Sequence, residues 1–317
     1  MPAFVFDLGG THLRCGVVNS ALRVDGLEKQ RASTFVDGLT VAEIVDDVVL
    51  RIIRYIDRHA TPDAAGPIVL AFPGPIAQRR FTLSAPTLYG TAGPNLPDLA
   101  AILTARTGRT VHLLNDVSAA AWSLSTTTKA ERFMVVTVSS GIGSKLFDRR
   151  HPLGVIDDPP YAGEIGHYVV DRSPDAIQCD CGGRGHLGGI SSGRGIERLA
   201  RRVRGEATLT NEACLVPAIR RGERWATDIL REATIPLAQT LLAVTMACGL
   251  ERVFIIGGFA QSVGPLYGAV LEDLMEVHSQ YAVFGNQLAS LVQIAGPREE
   301  QCIEGAAVYA GSLGILA

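Results

Sequence analysis

The chain lacks any concentration of charge of one sign. It has 317 residues, with 29 Lys and Arg against 32 Asp and Glu, and a formal net charge of -3. A protein surface that follows nucleic-acid phosphates needs clustered basic side chains. The arginines here are dispersed except for the run 198–204, which we interpret as a solvated helix face. We therefore expect no nucleic-acid partner.

Targeting and membrane-spanning patterns are also missing. The chain begins MPAFVFD, without a basic segment ahead of an apolar stretch, and no apolar run is long enough to span a bilayer. There is no short repeat and no low-complexity tract. These absences predict a cytoplasmic protein with no membrane partner.

Cysteine is scarce, since the chain contains only six. Four of them, Cys15, Cys214, Cys248 and Cys302, are scattered in apolar surroundings and are interpreted as small buried hydrophobic residues. No disulfide framework of the kind found in small secreted proteins is visible.

The other two cysteines lie close together with two histidines. His167, Cys179, Cys181 and His186 bring four metal-ligand side chains into one short stretch, and the glycines between them permit a tight turn. Two thiolates and two imidazoles form a tetrahedral structural zinc site. The alternative is two ordinary thiols, or a disulfide, in a glycine-rich loop, although cysteines separated by one residue rarely satisfy disulfide geometry.

Glu164 precedes His167 by three residues, and a zinc knuckle does not need it. A carboxylate so close to a ligand would be held rigidly beside the metal site. We therefore expect function at Glu164.

The hydrophobic periodicity alternates short apolar runs with longer amphipathic segments, which indicates βαβ units. The strands are predicted at 4–6, 13–18, 68–71, 111–114, 133–139, 253–256 and 291–294, and the helices at 41–58, 98–106, 118–124, 196–204, 223–247, 265–278 and 302–311. This pattern predicts an α/β protein of two lobes with a cleft between them. We place a small domain at 1–116 plus 300–317, and a large domain carrying the zinc knuckle at 117–299.

Three glycine-containing turns follow predicted strands. They are Asp7-Leu8-Gly9-Gly10-Thr11, Ser139-Ser140-Gly141-Ile142-Gly143 and Gly257-Gly258. Backbone N–H groups in such turns, with the Thr11 hydroxyl, are able to face an anion, and Asp7 could hold Mg2+ through water. A single glycine pair after a strand is usually only a turn. Three in the same context favour a nucleotide site.

These residues together resemble the ROK family of sugar kinases and related repressors, within the actin-like ATPase superfamily. The resemblance rests on Asp7-x-Gly-Gly-Thr-x-x-Arg14, Asn115-Asp116, Ser140-Gly141-Ile142-Gly143, Glu164-x-Gly-His167, the cysteine knuckle and Gly257-Gly258. It spans nearly the whole chain. It implies a two-lobed actin-like ATPase (ribonuclease H-like) fold with an interdomain cleft, and often a homodimer or homotetramer.

The resemblance implies a site for a sugar, ATP, Mg2+ and a structural Zn2+. The implied catalytic base is Asp116, which would receive the proton of the attacking hydroxyl. The same position also suits a helix N-cap, but the neighbouring Asn115 favours contact with sugar hydroxyls. Substrate binding is implied for Asn115, Glu164, His167 and Gly74. Nucleotide binding is implied for Asp7, Gly9, Gly10, Thr11, Ser140, Gly141, Gly257 and Gly258, and metal binding for His167, Cys179, Cys181 and His186. Arg14 could equally pair with a surface carboxylate.

The sequence departs from the family pattern at several positions. His186 stands in place of a third cysteine, and Gly188 in place of a glutamate that contacts the anomeric side of the sugar, which we expect to leave space there. Ser139-Ser140 replaces Gly-Thr, and Thr87 stands where asparagine is frequent. Lys145 occupies a position where small residues are common. This lysine could add charge near the phosphates or could be exposed.

We therefore predict an ATP-dependent kinase of the primary hydroxyl of a glucose-like sugar, an amino sugar or a C7-cyclitol of the kind used in antibiotic assembly. The chain has only three lysines, Lys29, Lys129 and Lys145, a usage typical of high-GC actinobacteria, which make such compounds. The alternatives are a glucokinase acting on plain glucose, a silent sugar binder and a sugar-responsive regulator. A regulator of this family carries a helix-turn-helix domain, for which the turn beginning at Asp7 leaves no room.

Overall fold

A computed structural model describes residues 2–60, 66–90, 96–157, 159, 161–280, 288, 290–296 and 298–314. The strands are β1 (Ala3–Leu8), β2 (His12–Val18), β3 (Val24–Arg31), β4 (Ile68–Phe72), β5 (Ile76–Ala77), β6 (Phe81–Thr82), β7 (Val111–Asn115), β8 (Arg132–Val138), β9 (Ile142–Asp148), β10 (Val155–Ile156), β11 (Arg252–Ile256) and β12 (Val292–Ile294). The α-helices are α1 (Val41–His59), α2 (Pro86–Tyr89), α3 (Leu99–Thr107), α4 (Asp116–Ser125), α5 (Leu187–Ser191), α6 (Gly193–Arg204), α7 (Val216–Arg220), α8 (Arg224–Cys248), α9 (Gly258–Val263), α10 (Pro265–Ser279) and α11 (Gln301–Ser312).

The predicted α/β class is confirmed, and each predicted strand and helix is present with its ends moved by a few residues. The sequence analysis missed β3, β9 and the two-residue strands β5, β6 and β10. Strand β3 reads VDGLEKQR and lies at the edge of its sheet, where charged side chains face solvent and little hydrophobic pattern is needed. Strand β9 begins inside the segment that was interpreted as a turn.

Contacts divide the chain into two units. The first comprises Met1–Lys129, Leu153–Ala162 and Glu299–Ala317, and the second comprises Ala130–Pro152 and Gly163–Arg298.

The first unit is built on a sheet with the strand order β3-β2-β1-β4-β7. Strand β1 pairs antiparallel with β2 and parallel with β4, which pairs parallel with β7. Every residue of β1 and β4 is buried, as expected for central strands with both faces covered. The alternating side chains of β1 enter two cores, so that Phe4 and Phe6 pack with α1 and α3, and Val5 packs with α4 and α11.

The second unit repeats this plan. Its sheet has the order β9-β8-β11-β12, with β8 and β9 antiparallel and the other neighbours parallel. One hydrophobic core joins the sheet to α6, α8 and α10. In both units an antiparallel hairpin is therefore followed by parallel strands, and the carboxyl ends of the parallel strands meet at one edge.

The division by contacts differs from the predicted domain boundaries at two segments. Residues 117–129 belong with the first unit because α4 packs closely on α11, where a Cβ on Gly305 would lie 1.7 Å from the Ala119 carbonyl oxygen. Residues 153–162 belong there too. Asp157 accepts hydrogen bonds from Ser118 (2.8 Å) and Arg79 (3.4 Å) of that unit.

Among the helices of the described residues, none is both long and apolar enough to cross a membrane.

Candidate functional site

In the first unit, predicted site residues gather at the carboxyl ends of three neighbouring strands. Asp7 is near the end of β1 and pairs in register with Ala71 of β4, while Phe72 of β4 pairs with Asn115 of β7. The Asn115 side-chain amide donates to the Gly74 carbonyl at 2.9 Å. The carboxyl ends of parallel strands are where α/β proteins commonly bind ligands.

Asp7 is buried and forms an ion pair with Arg14, the residue opposite it on β2. The distance from Arg14 Nη1 to Asp7 Oδ2 is 2.9 Å. Burial raises the pKa of Asp7, and Arg14 opposes that rise. Arg14 also reaches Glu299 at 3.5 Å. The pairing with a surface carboxylate that was left open for Arg14 is thus only part of its role, because its shorter contact is with Asp7.

The turn between β1 and β2 packs against α2. The Gly9 amide donates to the His12 carbonyl at 2.8 Å, which closes the turn. A Cβ on Gly10 would lie 3.2 Å from Thr87 Cβ, so this backbone lies tightly against Thr87. Thr11 is exposed, with its hydroxyl 3.0 Å from His12 Nδ1.

Asn115 is the N-cap of α4, which corrects the alternative that placed Asp116 in that role. The Asn115 Oδ1 accepts from the amides of Val117 (3.0 Å) and Ser118 (3.3 Å). Asp116 is the first residue of the helix, and its Oδ1 accepts from the Val117 amide at 2.8 Å. Asn115 and Asp116 thus have different positions: Asn115 caps the helix, and Asp116 lies in its first turn.

Cys302 lies beside Asp116 at this edge. Its thiol donates to the Asp116 carbonyl at 3.5 Å. Burial raises the pKa of the Cys302 thiol well above its usual value, and the negative charges of Asp7 and Asp116 add to the rise. Cys302 therefore lies within electrostatic reach of both carboxylates at this edge of the sheet.

In the second unit, the two other glycine turns border a cavity of about 680 Å³. Its lining residues come from the β8–β9 turn, α6, the segment before α7, α7 itself and α9: Ser139, Ser140, Gly193, Arg194, Glu197, Asn211, Glu212, Val216, Pro217, Arg220, Gly258, Phe259 and Ser262. Ser140 and Gly258, two of the residues predicted to bind nucleotide, thus line this cavity. Gly141 and Gly257 do not line the cavity.

Gly257 does not line the cavity but packs on the end of β8, next to the lining residue Gly258. It follows β11, has φ of 100°, and a Cβ there would lie 2.7 Å from both Thr137 Oγ1 and the Val138 carbonyl oxygen. Only glycine combines this conformation with such close packing. The Gly193 amide donates to the Ser139 carbonyl at 2.8 Å, which fixes the start of α6 against the turn.

The sequence analysis missed the α6 and α7 side of this cavity. Arg194 lines it and pairs at 3.0 Å with Asp180, the residue between the two knuckle cysteines. Arg198 pairs with Asp180 at 3.2 Å and donates to the Gly189 carbonyl. The basic run 198–204 is therefore not entirely a solvated helix face, because Arg198 contacts Asp180 and Gly189. The spacing of Arg194 and Arg198, one helical turn apart, was the available signal.

The four predicted metal ligands converge in the second unit. One ligand atom from each of His167, Cys179, Cys181 and His186 lies within 4.8 Å of every other. The Cys181 sulfur is 3.2 Å from His186 Nδ1. Both cysteines are free thiols, so the disulfide alternative is wrong.

Backbone contacts hold this cluster in place. The Cys179 amide donates to the Gly183 carbonyl at 2.7 Å, and a Cβ on Gly183 would lie 2.3 Å from the His186 ring. The imidazole thus lies directly on Gly183. A β-bridge between Val169 and His186 brings the knuckle back beside the 3-10 turn Ile165–His167.

The donor set fits zinc. Ligand atoms of a tetrahedral zinc site are about 3.5 Å apart, given bond lengths of about 2.0–2.3 Å. Separations of up to 4.8 Å need only small side-chain adjustments to reach that geometry. Two thiolates with two imidazoles are the set found in closed structural sites.

Glu164 is held beside this cluster by glycines on either side. A Cβ on Gly163 would lie 2.0 Å from the Ser144 carbonyl oxygen, and one on Gly166 would lie 2.1 Å from that of Ile142. The segment therefore rests directly on β9. Glu164 Oε2 is 3.9 Å from His167 Nε2, so this nitrogen of His167 is the one on the Glu164 side.

Lys145 of β9 is buried, which excludes the interpretation of an exposed lysine. Its Nζ lies 3.7 Å from Glu164 Oε1. Gly188, the other departure, packs on the Ile165–His167 turn, where a Cβ would lie 3.1 Å from the Gly166 carbonyl oxygen. The backbone of Gly166 therefore limits the space beside Gly188 on the side of the Ile165–His167 turn.

Each unit thus gathers its own share of the predicted residues. Asp7, Gly9, Gly10, Thr11, Gly74, Asn115 and Asp116 belong to the first unit, and Ser140, Gly141, Glu164, His167, Cys179, Cys181, His186, Gly257 and Gly258 to the second.

Nearly the whole chain matches one family of known proteins. The sequence profile of the ROK family matches residues 4–311, and the chain belongs to this family. The family predicted from the motifs is therefore confirmed.

Among curated relatives, the chain is 37% identical over 299 residues to a C(7)-cyclitol 7-kinase of Streptomyces hygroscopicus subsp. jinggangensis, covering 85% of this chain and 82% of the relative. Among solved structures it is similar to the ROK hexokinase of Thermus thermophilus, with a TM-score of 0.77 at 23% identity and 98% coverage of both chains. It is also similar to a ROK glucokinase of Streptomyces griseus in complex with glucose and AMPPNP, with a TM-score of 0.67 at 22% identity, covering 97% and 98% of the two chains. These structures confirm the predicted fold, that of the actin-like ATPases.

Proposed function

We propose that this protein is an ATP-dependent kinase that phosphorylates the primary hydroxyl of a C7-cyclitol. The predicted enzyme class, a carbohydrate kinase, is confirmed by the family and by its kinase relatives. The cyclitol is supported by the relative at 37% identity, which is named for that substrate and covers most of the chain. The single observation that carries the chemistry is Asp116, a carboxylate on the first turn of a helix at the carboxyl ends of the parallel strands β1, β4 and β7. Use in secondary metabolism belongs to the same proposal.

In this proposal Asp116 accepts the proton of the acceptor hydroxyl. That hydroxyl oxygen forms a bond to the γ-phosphorus of ATP while the bond to the β-phosphate oxygen breaks, giving the phosphorylated product and ADP. Most of the catalysis comes from positioning, since phosphoryl transfer needs little covalent chemistry from the protein. Asn115 keeps Asp116 in place by capping the helix, and it reaches the Gly74 loop with its amide.

The acceptor is proposed to bind Glu164 and His167. Glu164 accepts hydrogen bonds from ring hydroxyls, and the His167 nitrogen on the Glu164 side contacts the substrate. Zn2+ on Cys179, Cys181, His186 and the other nitrogen of His167 would supply rigidity, and no chemical step is assigned to it.

ATP is proposed to occupy the 680 Å³ cavity of the second unit. Ser140 and Gly258 line it, and Arg194 supplies a cation on its wall. The N-terminal turn at Gly9, Gly10 and Thr11 offers backbone and hydroxyl donors suited to phosphate oxygens. Asp7, buried beside Arg14, is the carboxylate proposed to hold Mg2+ through water.

The function is tested by measuring ADP release with a panel of hexoses, amino sugars and C7-cyclitols. We expect the largest kcat/KM with a C7-cyclitol, because the carboxylate that family members use at position 188 is missing here. Product analysis by mass spectrometry and NMR should show one phosphate ester on the primary hydroxyl. Equal or better turnover of plain glucose would contradict the cyclitol proposal, and no acceptor-dependent ADP release would contradict the kinase.

The nucleotide cavity is tested by Gly258→Leu. A Cβ at Gly258 meets nothing within 4 Å, so a larger side chain is tolerated by the fold and extends into the cavity that Gly258 lines. We expect KM for ATP to rise by about tenfold, the equivalent of about 1.4 kcal/mol, with KM for the acceptor little changed. Gly296→Leu is the matched control, because Gly296 is equally open and lies outside the cavity lining. An unchanged KM for ATP in Gly258→Leu would place the nucleotide elsewhere.

A further inference from the structure

Lys145 is a buried cation that the proposed mechanism does not use. Its side chain is only 5% exposed. Lysine is almost never buried to this degree without a counter-charge, because removing an ammonium group from water is costly. A buried lysine therefore indicates a specific role for its charge.

The carboxylate of Glu164, the proposed substrate ligand, supplies a counter-charge to Lys145. The Nζ of Lys145 lies 3.7 Å from Glu164 Oε1, and Glu164 is 28% exposed. The lysine stem runs along Gly163, where a Cβ would lie 3.2 Å from Lys145 Cδ. Lys145 thus approaches Glu164 from the buried side and leaves the carboxylate partly open on the other.

Lys145 changes the charge beside the proposed substrate ligand. It places a positive charge next to the negative charge of Glu164, and position 188 carries glycine, so it adds no second carboxylate. Replacing Lys145 by a neutral side chain would therefore make the surroundings of Glu164 more negative by one unit.

We infer that Lys145 sets the charge selectivity of the acceptor site, so that it favours neutral polyols over substrates bearing a protonated amine. This inference rests on the proposed function, in which Glu164 contacts the acceptor. A substrate ammonium group would be attracted by Glu164 and repelled by Lys145, and would lose hydration on entering. A neutral hydroxyl still donates to the carboxylate, which Lys145 holds in a fixed orientation. Lys145 is thus a positioning and specificity residue, and it narrows the acceptor from amino sugars to uncharged rings.

The test is the ratio of kcat/KM for an amine-bearing acceptor to that for its neutral counterpart. Two matched pairs are used, glucosamine with glucose, and an aminocyclitol with the C7-cyclitol in which hydroxyl replaces the amine, below the pKa of the amine. We expect Lys145→Met, which keeps the length of the side chain and removes its charge, to raise this ratio by about tenfold, as expected for one partly screened unit charge at short range. Lys145→Arg, which retains the charge, should keep the wild-type ratio.

Lys129→Met is the control, because Lys129 is exposed and its substitution removes the same charge at a different position. Its ratio should equal that of the wild type. Glu164→Gln provides an independent measurement with the opposite sign, since it removes the negative charge that attracts the substrate amine and should lower the ratio. An unchanged ratio in folded Lys145→Met overturns the inference. If Lys145→Met does not fold, as judged by circular dichroism, an unchanged or raised ratio in Glu164→Gln overturns it instead.

Failure of the inference is distinguishable from failure of the proposed function. A wild-type protein that phosphorylates none of these acceptors contradicts the kinase. If the wild-type protein phosphorylates neutral rings and Lys145→Met has the same ratio of kcat/KM for amine-bearing and neutral acceptors, only the role of Lys145 is contradicted.

Discussion

Replacing Asp116 by Asn is expected to lower kcat by about 10²–10⁴-fold, the contribution of a general base. The amide has the shape of the carboxylate, and its oxygen is still able to accept from the Val117 amide at the first turn of α4. It does not accept a proton from the attacking hydroxyl. Because Asn115 provides the helix cap, the substitution leaves α4 intact. The dissociation constant of the acceptor, measured by calorimetry, should change little.

Asp98→Asn is a matched control in the same unit. Asp98 caps α3 by accepting from the Ala101 amide at 2.8 Å, and Asn caps equally well. We expect it to retain wild-type kcat. Undiminished kcat in Asp116→Asn would remove Asp116 from catalysis. Loss of acceptor binding together with a lower melting temperature would instead assign it a structural role.

The second large effect is expected from Cys181→Ser. The wild-type protein should contain one equivalent of zinc by plasma mass spectrometry, and the variant should lose it, because a serine hydroxyl is a poor zinc ligand compared with thiolate. His167 would then lose its fixed orientation beside Glu164. We expect KM for the acceptor to rise by about 10–100-fold, the range seen when the support of a metal site is removed.

The expected change in kcat is smaller, since zinc is proposed to orient His167 and not to activate the hydroxyl. Cys214→Ser is the control, because Cys214 is a free cysteine outside the cluster and should keep both zinc and KM. A wild-type protein without zinc would contradict the structural-zinc proposal. Full zinc loss with an unchanged KM would show that the knuckle does not support the acceptor site.

The local elements of this protein were predictable because the signals are local. Apolar runs in the sequence predict the buried strands β1, β4, β8 and β11. The amphipathic period of residues 41–58 predicts helix α1 in the same way. Edge strand β3 escaped because a solvated, charged strand has little hydrophobic pattern. The convergence of the four Cys and His side chains was predictable for a related reason: three of the four lie within eight residues, where the chain itself limits their separation.

Other parts of the site depend on distant contacts. Arg194, Asn211 and Arg220 meet in the cavity of the second unit only because α6 and α7 pack beside the β8–β9 turn. The Lys145–Glu164 pair joins residues from two separate segments, brought together where Gly163 and Gly166 lie directly on β9. No spacing in the sequence predicts these contacts between distant segments. They form because glycine, which has no side chain, lets two backbone segments pack directly against each other.

The sequence by itself determined the family, the α/β class, the residue set of the knuckle and the position of Asp116 after a buried strand. Each of these follows from residue type and short spacing, which survive without knowledge of the fold. Only the tertiary structure decided that Asn115, and not Asp116, caps α4, that Asp7 pairs with Arg14, and that Lys145 is buried against Glu164. Hydrogen-bond partners and burial are properties of packed neighbours, and a linear chain does not specify them until its glycines and strands have brought those neighbours into contact.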